Sequence, residues 1–137
     1  MMTRKIRWRA AVAGAVIAEI ALIAASFAWV AIYSYLINPN QPVTVYEQHA
    51  QASGPWVSLL AGIPIFYSAG RWLAKSAPTA VAMCVILLIF DALVLVSSVR
   101  AGASLPLLIV ALSYLTKFAA SYLGGRHSAL RLAHAQP

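Results

Sequence analysis

Three ionisable residues lie inside long apolar segments of this sequence: Glu19, Asp91 and Lys117. A charged side chain at the centre of a bilayer costs at least about 2.5–3.5 kcal/mol on insertion scales. Residues of this kind therefore face the interior of a helix bundle, pair with an opposite charge, or gain and lose a proton. Because one lysine cannot neutralise two carboxylates, a shared site would leave one carboxyl group free to carry a proton. These residue types favour a proton or substrate relay.

The depth of these residues along the predicted helices decides which of them can meet. At a rise of about 1.5 Å per residue, Glu19 and Lys117 lie about 10–14 Å from the same end of the bundle and can pair. Asp91 lies about 20 Å from that end, and a lysine side chain can bridge part of the difference. The alternative to a relay is a buried ion pair, which adds little net stability but can fix helix pairing and register.

Polar residues accompany these charges at helical spacing. Ser113 and Ser121 lie four residues to either side of Lys117, and Tyr114 lies three residues before it. Residues three or four apart share one face of a helix, so they form a polar stripe. Tyr67 is predicted to lie near the same level on the second helix. We expect such stripes to face each other as a polar core inside a lipid-facing shell.

A helix kink is predicted at Gly62 and Pro64, in the middle of the second apolar segment. A proline inside a helix removes one backbone hydrogen bond and usually bends the helix. Bends of this kind often line cavities in transporters. They also occur as packing features, and the sequence leaves both interpretations open.

Four apolar segments must position these residues. Each has about 20 residues or more, the length that a helix needs to cross the hydrocarbon of a bilayer. For the connection between the first two segments, a solvated loop is favoured over a short helix on the membrane surface, and Gly124-Gly125 is expected to end the fourth helix. Residues 1–137 then form a single transmembrane domain, with spans at 10–37, 54–74, 78–99 and 104–124 and an outer loop at 38–53.

The composition agrees with a membrane protein, because 62% of the residues are hydrophobic and only 9% are charged. A soluble domain has about 25% charged residues. The net charge of +7 would suggest nucleic acid in a soluble protein. Here the charges lie at the ends of apolar segments, which favours anionic lipid headgroups as the counter-charge. We therefore predict membrane lipids, and no nucleic acid, as partners.

Basic residues are concentrated at one end of the predicted bundle. Four spans put both termini on the same side, and that side holds Arg4, Lys5, Arg7, Arg9, Arg71, Lys75, Arg126 and Arg131, whereas the other has only Arg100. Cytoplasmic loops carry such an excess of Lys and Arg. The predicted fold is thus an all-α membrane protein, a four-helix transmembrane bundle of the inner membrane with cytoplasmic N and C termini.

The six residues Gly14-Ala15-Val16-Ile17-Ala18-Glu19 resemble the first helix of the small multidrug-resistance exporters. That family is similar in having four short spans and one essential glutamate in the first. The resemblance implies that Glu19 exchanges protons and cationic substrates. This chain departs from the family pattern in its length, its outer loop and its additional charges, and Lys117 would repel a cation.

No motif of a known enzyme class occurs in the sequence. The single cysteine, Cys84, excludes an intramolecular disulfide and a multi-cysteine metal site. The three histidines, His49, His127 and His134, fall in the predicted loop or tail. Zinc-protease, phosphate-loop and serine-hydrolase motifs are missing. We predict no metal, no cofactor and no catalytic residue, so an enzymatic function has no support.

Two functions are favoured for this small polytopic protein, and a membrane enzyme, which would need an added cofactor or a second carboxylate at the site, comes third. The first is proton-linked transport or permeation through the polar core. The second is a non-catalytic membrane subunit or scaffold of a larger complex, in which the buried charges fix helix pairing. Because four helices enclose little volume, we expect a homo-oligomer or a larger complex in either case.

Overall fold

Four long helices follow one another along the chain. The computed structural model describes residues 5–100, 102, 104 and 106–134, of which 90% are helical and none is in a strand; Arg4 lies outside them. Helix α1 is Trp8–Ile32, extended by a π-helical turn at Tyr33–Ile37. Helix α2 is Val43–Ala69, extended by a π-helical turn at Gly70–Ala74. Helix α3 is Ala77–Arg100 and helix α4 is Leu107–His134.

All four helices are long and apolar enough to cross a membrane. The candidate spans are Trp8–Ile37, Val43–Ala74, Ala77–Ser97 and Leu107–His134, with mean hydropathy between 1.2 and 2.7. The prediction of an all-α protein with four apolar helices is therefore confirmed.

The distribution of side chains is the reverse of that in a soluble bundle. Large apolar residues point outward, and Phe27 is 73% exposed. The interior is instead lined by small residues of α1, namely Ala11, Ala15 and Ala18, packed with Phe66 and Met83. Small residues let helix backbones approach closely, which is how helices associate in lipid. The apolar outer surface suggests a multi-pass membrane protein.

The prediction that Gly124-Gly125 ends the fourth helix is wrong, because α4 continues through both glycines to His134. The glycines serve close packing. A Cβ atom on Gly124 would overlap the carbonyl oxygen of Tyr67, and one on Gly70 would overlap that of Ser121. Helices α2 and α4 thus touch backbone to backbone at these residues.

The prediction of a solvated loop over 38–53 is also wrong for most of its length, because α2 begins at Val43. Pro42, in an extended conformation, precedes the first turn, and Pro55 lies within the helix. The hydroxyl of Tyr46 stabilises the turn between α1 and α2. It accepts a hydrogen bond from the backbone N–H of Gln41 and donates one to the carbonyl of Asn38, both at 3.0 Å. The polar residues after Pro42 contain no helix breaker before Gly54, so helix formation has no local obstacle.

We expect Gly124→Ala to destabilise the protein, because the added methyl group forces α2 and α4 apart. Overpacking of this kind typically costs about 1–3 kcal/mol. Gly54→Ala is the matched control, since a Cβ atom there meets nothing within 4 Å. Replacing a glycine inside a helix should raise stability by up to about 1 kcal/mol. Thermal unfolding of the purified protein in detergent measures both, and equal stability of the two variants would contradict the close contact.

Candidate polar core

A cavity of about 220 Å³ lies between the four helices, and Glu19, Asp91 and Lys117 all line it. Helix α1 contributes Glu19, α3 contributes Asp91 and α4 contributes Lys117. Helix α2 adds Ser58, which no pattern in the sequence distinguishes. The structure therefore brings the three ionisable residues to one cavity, whereas their role stays a prediction.

Lys117 is 4% exposed, and its ammonium group bonds a neutral hydroxyl group. Its Nζ donates a hydrogen bond of 2.7 Å to Ser58 Oγ, which lies 3.2 Å from Ser113 Oγ. The ammonium group also lies 5.3 Å from the centre of the Tyr114 ring and 5.6 Å from that of Phe66. Both distances are within the range of cation–π attraction. In the described residues no ion pair within 4.0 Å joins Lys117 to a carboxylate.

Gly62 makes room for the lysine stem. A Cβ atom at this residue would lie 2.9 Å from Lys117 Cε and 3.1 Å from Cγ. Gly62 follows Ser58 by one helical turn, so the two residues share the face of α2 that contacts Lys117. A serine four residues before a glycine is too common in helices to identify such a contact from sequence.

Asp91 is held by the adjacent helix. Tyr114 donates its hydroxyl proton to Asp91 Oδ2 over 2.8 Å, which links α4 to α3. Hydrogen bonds to an ionised acceptor are stronger than neutral ones. Tyr114 therefore contacts both charged partners, its hydroxyl at Asp91 and its ring at Lys117.

Glu19 differs from the other two, because its Oε2 atom is buried and has no hydrogen-bond partner in the described residues. A buried carboxylate without a partner is costly when it is ionised. Glu19 also lines a second cavity, of about 390 Å³, between α1 and α2. Ser26, Trp29 and Ser53 lie along this second cavity toward the far end of α1.

The polar residues that were expected to accompany the three charges lie in three different places. Ser113 and Tyr114 line the polar cavity. Ser121 is fully buried one turn further along α4, where its hydroxyl donates to the carbonyl of Ala80 at 3.4 Å. Tyr67 lies at the basic end, with its hydroxyl 2.9 Å from His127 Nδ1.

Tyr67 was predicted at the level of Lys117, but it packs at the level of Gly124. Seven residues separate Gly124 from Lys117, which is about 10 Å along a helix. The predicted end of α4 is Gly124, but the helix continues for ten more residues. Depths measured from the predicted end, including that of Lys117, therefore cannot be matched to depths measured from the end of α2.

Pro64 lies within α2, which is assigned as one continuous helix from Val43 to Ala69. Its side chain lines a separate groove of about 440 Å³ between α1 and α2, together with Ile17 and Trp72. The proline therefore shapes the outer surface of the helix pair, and Gly62 is the residue of the predicted kink that contacts the polar core.

The core is closed toward the basic end. Phe66 and Met83 are fully buried and pack with the alanines of α1 to form the apolar layer there. Glu19 and Asp91 are the acidic groups at the polar cavity. Across the described residues, no group of three His, Cys, Asp or Glu side chains is arranged to hold a metal ion.

We expect Ser58→Ala to destabilise the bundle, because it removes the oxygen that accepts from Lys117 Nζ. Hydrogen bonds to charged groups contribute about 1.5–3 kcal/mol. Ser97→Ala is the control, since the exposed Ser97 hydroxyl donates only to the carbonyl of Val94, within its own helix, at 2.7 Å. Thermal unfolding in detergent should show a lower midpoint for the first variant and little change for the second.

Comparison with protein-family models, with curated proteins and with solved structures found no match to this chain. The resemblance of the segment that ends at Glu19 to small multidrug-resistance exporters is thus limited to those six residues.

Proposed function

We propose that this chain is a multi-pass inner-membrane protein that moves protons through its polar core, alone or together with a substrate. The observation that supports the proposal is the position of Glu19. Its Oε2 is buried and has no hydrogen-bond partner in the part of the chain that the structure describes, and the side chain lines both the polar cavity and the cavity between α1 and α2. A carboxyl group in that position can receive a proton from one cavity and lose it to the other.

The charges around the cavity support a role for the proton of Glu19. Lys117 and Asp91 carry opposite charges and line the same cavity, so the core is electrically balanced when Glu19 is neutral. Loss of its proton leaves one net negative charge in apolar surroundings. Such a charge is costly unless a cation binds or the helices rearrange. This coupling is what proton-linked transport requires.

The cavities also support a mechanism in which the polar core is open to one side of the membrane at a time. The second cavity follows α1 from Glu19 to Val30, about 16 Å at the rise of a helix. On the other side, the layer of Phe66 and Met83 separates the polar core from the basic end. Passage of a proton or substrate to the basic end would require this layer to open. Transporters open each side of the binding site in turn, while the other side is closed.

The basic residues support a cytoplasmic location for both termini, since the order of the spans in the sequence assigns eight of them to that end and one to the other. We expect Glu47→Cys to be labelled by an impermeant maleimide from outside intact cells, and Arg126→Cys only after the cells are opened. Both are made in a Cys84→Ala background, which removes the single native thiol. The reverse pattern of labelling would contradict the orientation.

We expect Glu19→Gln to lower proton flux by at least about ten-fold, because an amide cannot carry the proton. Flux into proteoliposomes is followed with a pH-sensitive dye under an imposed membrane potential. Glu47→Gln, near the start of α2, is the matched control and should retain the flux of the wild type. Unchanged flux in Glu19→Gln would overturn the proposal.

The second candidate function is a non-catalytic membrane subunit or scaffold of a larger complex, in which the buried charges fix helix pairing. The contacts of Lys117 with Ser58 and of Tyr114 with Asp91 favour it, because they connect α4 to α2 and to α3. Wild-type proteoliposomes without proton flux, together with a defined membrane complex after gentle solubilisation, would support this second function in place of the first.

A further inference from the structure

A basic crevice of about 640 Å³ lies at the end of the bundle opposite the cavity between α1 and α2. We use this name for the site lined by Tyr67, Arg71, His127, Leu130, Arg131 and His134. The residues of α4 are spaced by three, four and seven, so they occupy one helix face. Tyr67 and Arg71 are also four apart, at the end of α2.

The crevice exists because α4 does not stop at its glycines. The contact of Gly124 with the backbone at Tyr67 brings the last turns of α4 against the end of α2. From there α4 continues to His134 beside the π-helical turn that contains Arg71. Two arginines from different helices therefore line one concave surface.

No acidic residue neutralises this surface. The chain has three acidic residues, Glu19, Glu47 and Asp91. Glu19 and Asp91 line the polar core, and Glu47 lies near the start of α2, twenty residues before Tyr67. Along α2 that separation is about 30 Å, well beyond the Debye length of about 8 Å in physiological salt. The positive charge of the crevice is thus free to attract an anion.

The hydrogen-bonding groups suit a phosphate ester. Arginine guanidinium groups bind phosphate oxygens through paired N–H donors. The hydroxyl of Tyr67 lies 2.9 Å from His127 Nδ1. When that hydroxyl donates, Nδ1 accepts and Nε2 carries the ring proton, which gives the crevice a further donor. His134 donates from Nδ1 to the carbonyl of Leu130 over 2.8 Å, which holds its ring in place.

We propose that the basic crevice binds an anionic phosphate group, held between Arg71 and Arg131. Its volume is within the range of about 300–1,000 Å³ that is usual for ligand sites. The neighbouring Trp72 is 66% exposed, and tryptophan favours the membrane interface. An anionic lipid headgroup and a water-soluble phosphate ester share this chemistry. Binding of a lipid headgroup depends on membrane insertion, which is part of the proposed function, whereas neither form of binding depends on proton movement by Glu19.

The test uses the full chain purified in detergent. Native mass spectrometry measures the binding of phosphatidylglycerol, with phosphatidylcholine as the lipid of zero net charge. Inorganic phosphate is added in a second arm, where thermal stabilisation reports binding. Phosphatidylglycerol binding without a response to inorganic phosphate assigns the site to lipid. A response to inorganic phosphate alone assigns it to a soluble anion, and both outcomes support the proposal.

Arg71→Gln with Arg131→Gln should weaken phosphate or phosphatidylglycerol binding by about 100-fold, from about ten-fold for each arginine whose charge-assisted hydrogen bonds are removed. The matched control is Lys75→Gln with Arg126→Gln, which removes the same charge at the same end but does not line the crevice, and it should lose much less. Because Arg71 adjoins the closely packed Gly70, the exposed Arg131→Gln alone is a second variant, with about a ten-fold loss expected.

Three results would overturn the proposal. The first is an equal loss in the two double variants, which would indicate diffuse attraction to the charged end. The second is unchanged binding in Arg131→Gln and in the crevice double variant. The third is a wild-type chain that responds neither to phosphatidylglycerol over phosphatidylcholine nor to inorganic phosphate. Since proton flux is measured separately with Glu19→Gln, failure of one proposal leaves the other intact.

Discussion

The hydrogen bond from Lys117 Nζ to Ser58 Oγ is the contact on which the interior of this bundle depends. A buried ammonium group must be compensated, and here it has one hydrogen bond, to the Ser58 hydroxyl, and lies near the rings of Phe66 and Tyr114. The two carboxylates are held differently. Asp91 accepts from Tyr114, whereas Glu19 Oε2 has no hydrogen-bond partner among the residues that the structure describes.

This arrangement explains why small residues dominate the places where helices meet. The lysine stem needs the space that Gly62 provides, and the α2–α4 contact needs Gly70 and Gly124. Large apolar side chains are consequently displaced to the outer surface. In lipid an apolar outer surface carries no cost, because acyl chains are as apolar as leucine. Packing and polar contacts must therefore hold the helices together.

The four helices could be predicted because they depend on local properties: apolar segments of sufficient length predict helices. The rise of a helix indicates that Glu19 and Lys117 could meet, and both line one cavity with Asp91. It does not give their depths, because those depend on where each helix ends. The partner of the lysine could not be predicted. Which serine of α2 faces Lys117 depends on how the helices rotate against each other, and this follows from packing that a single sequence does not specify.

The two wrong helix ends have different physical causes. The polar residues 43–53 contain no helix breaker, so α2 extends through them, whereas Gly124-Gly125 has the composition of a helix end and is overridden by packing. At Gly124, contact with a neighbouring backbone outweighs the low intrinsic helix propensity of glycine. Since the depth of Tyr67 relative to Lys117 was counted from that end, the error in the helix end became an error in the polar core.

The backbone contact of α2 with α4 has a mechanical consequence. No side chain separates the two helices here, so this contact is the fixed point about which any tilt of one helix against the other would turn. Gly70 lies twelve residues from Ser58, and Ser121 lies eight from Ser113, so the serines lie about 12–18 Å from the fixed point. A rotation of about 10° would move them by about 2–3 Å, enough to break a hydrogen bond. A rotation that hardly moves the atoms beside the glycines would therefore produce a much larger displacement at the serines near Lys117.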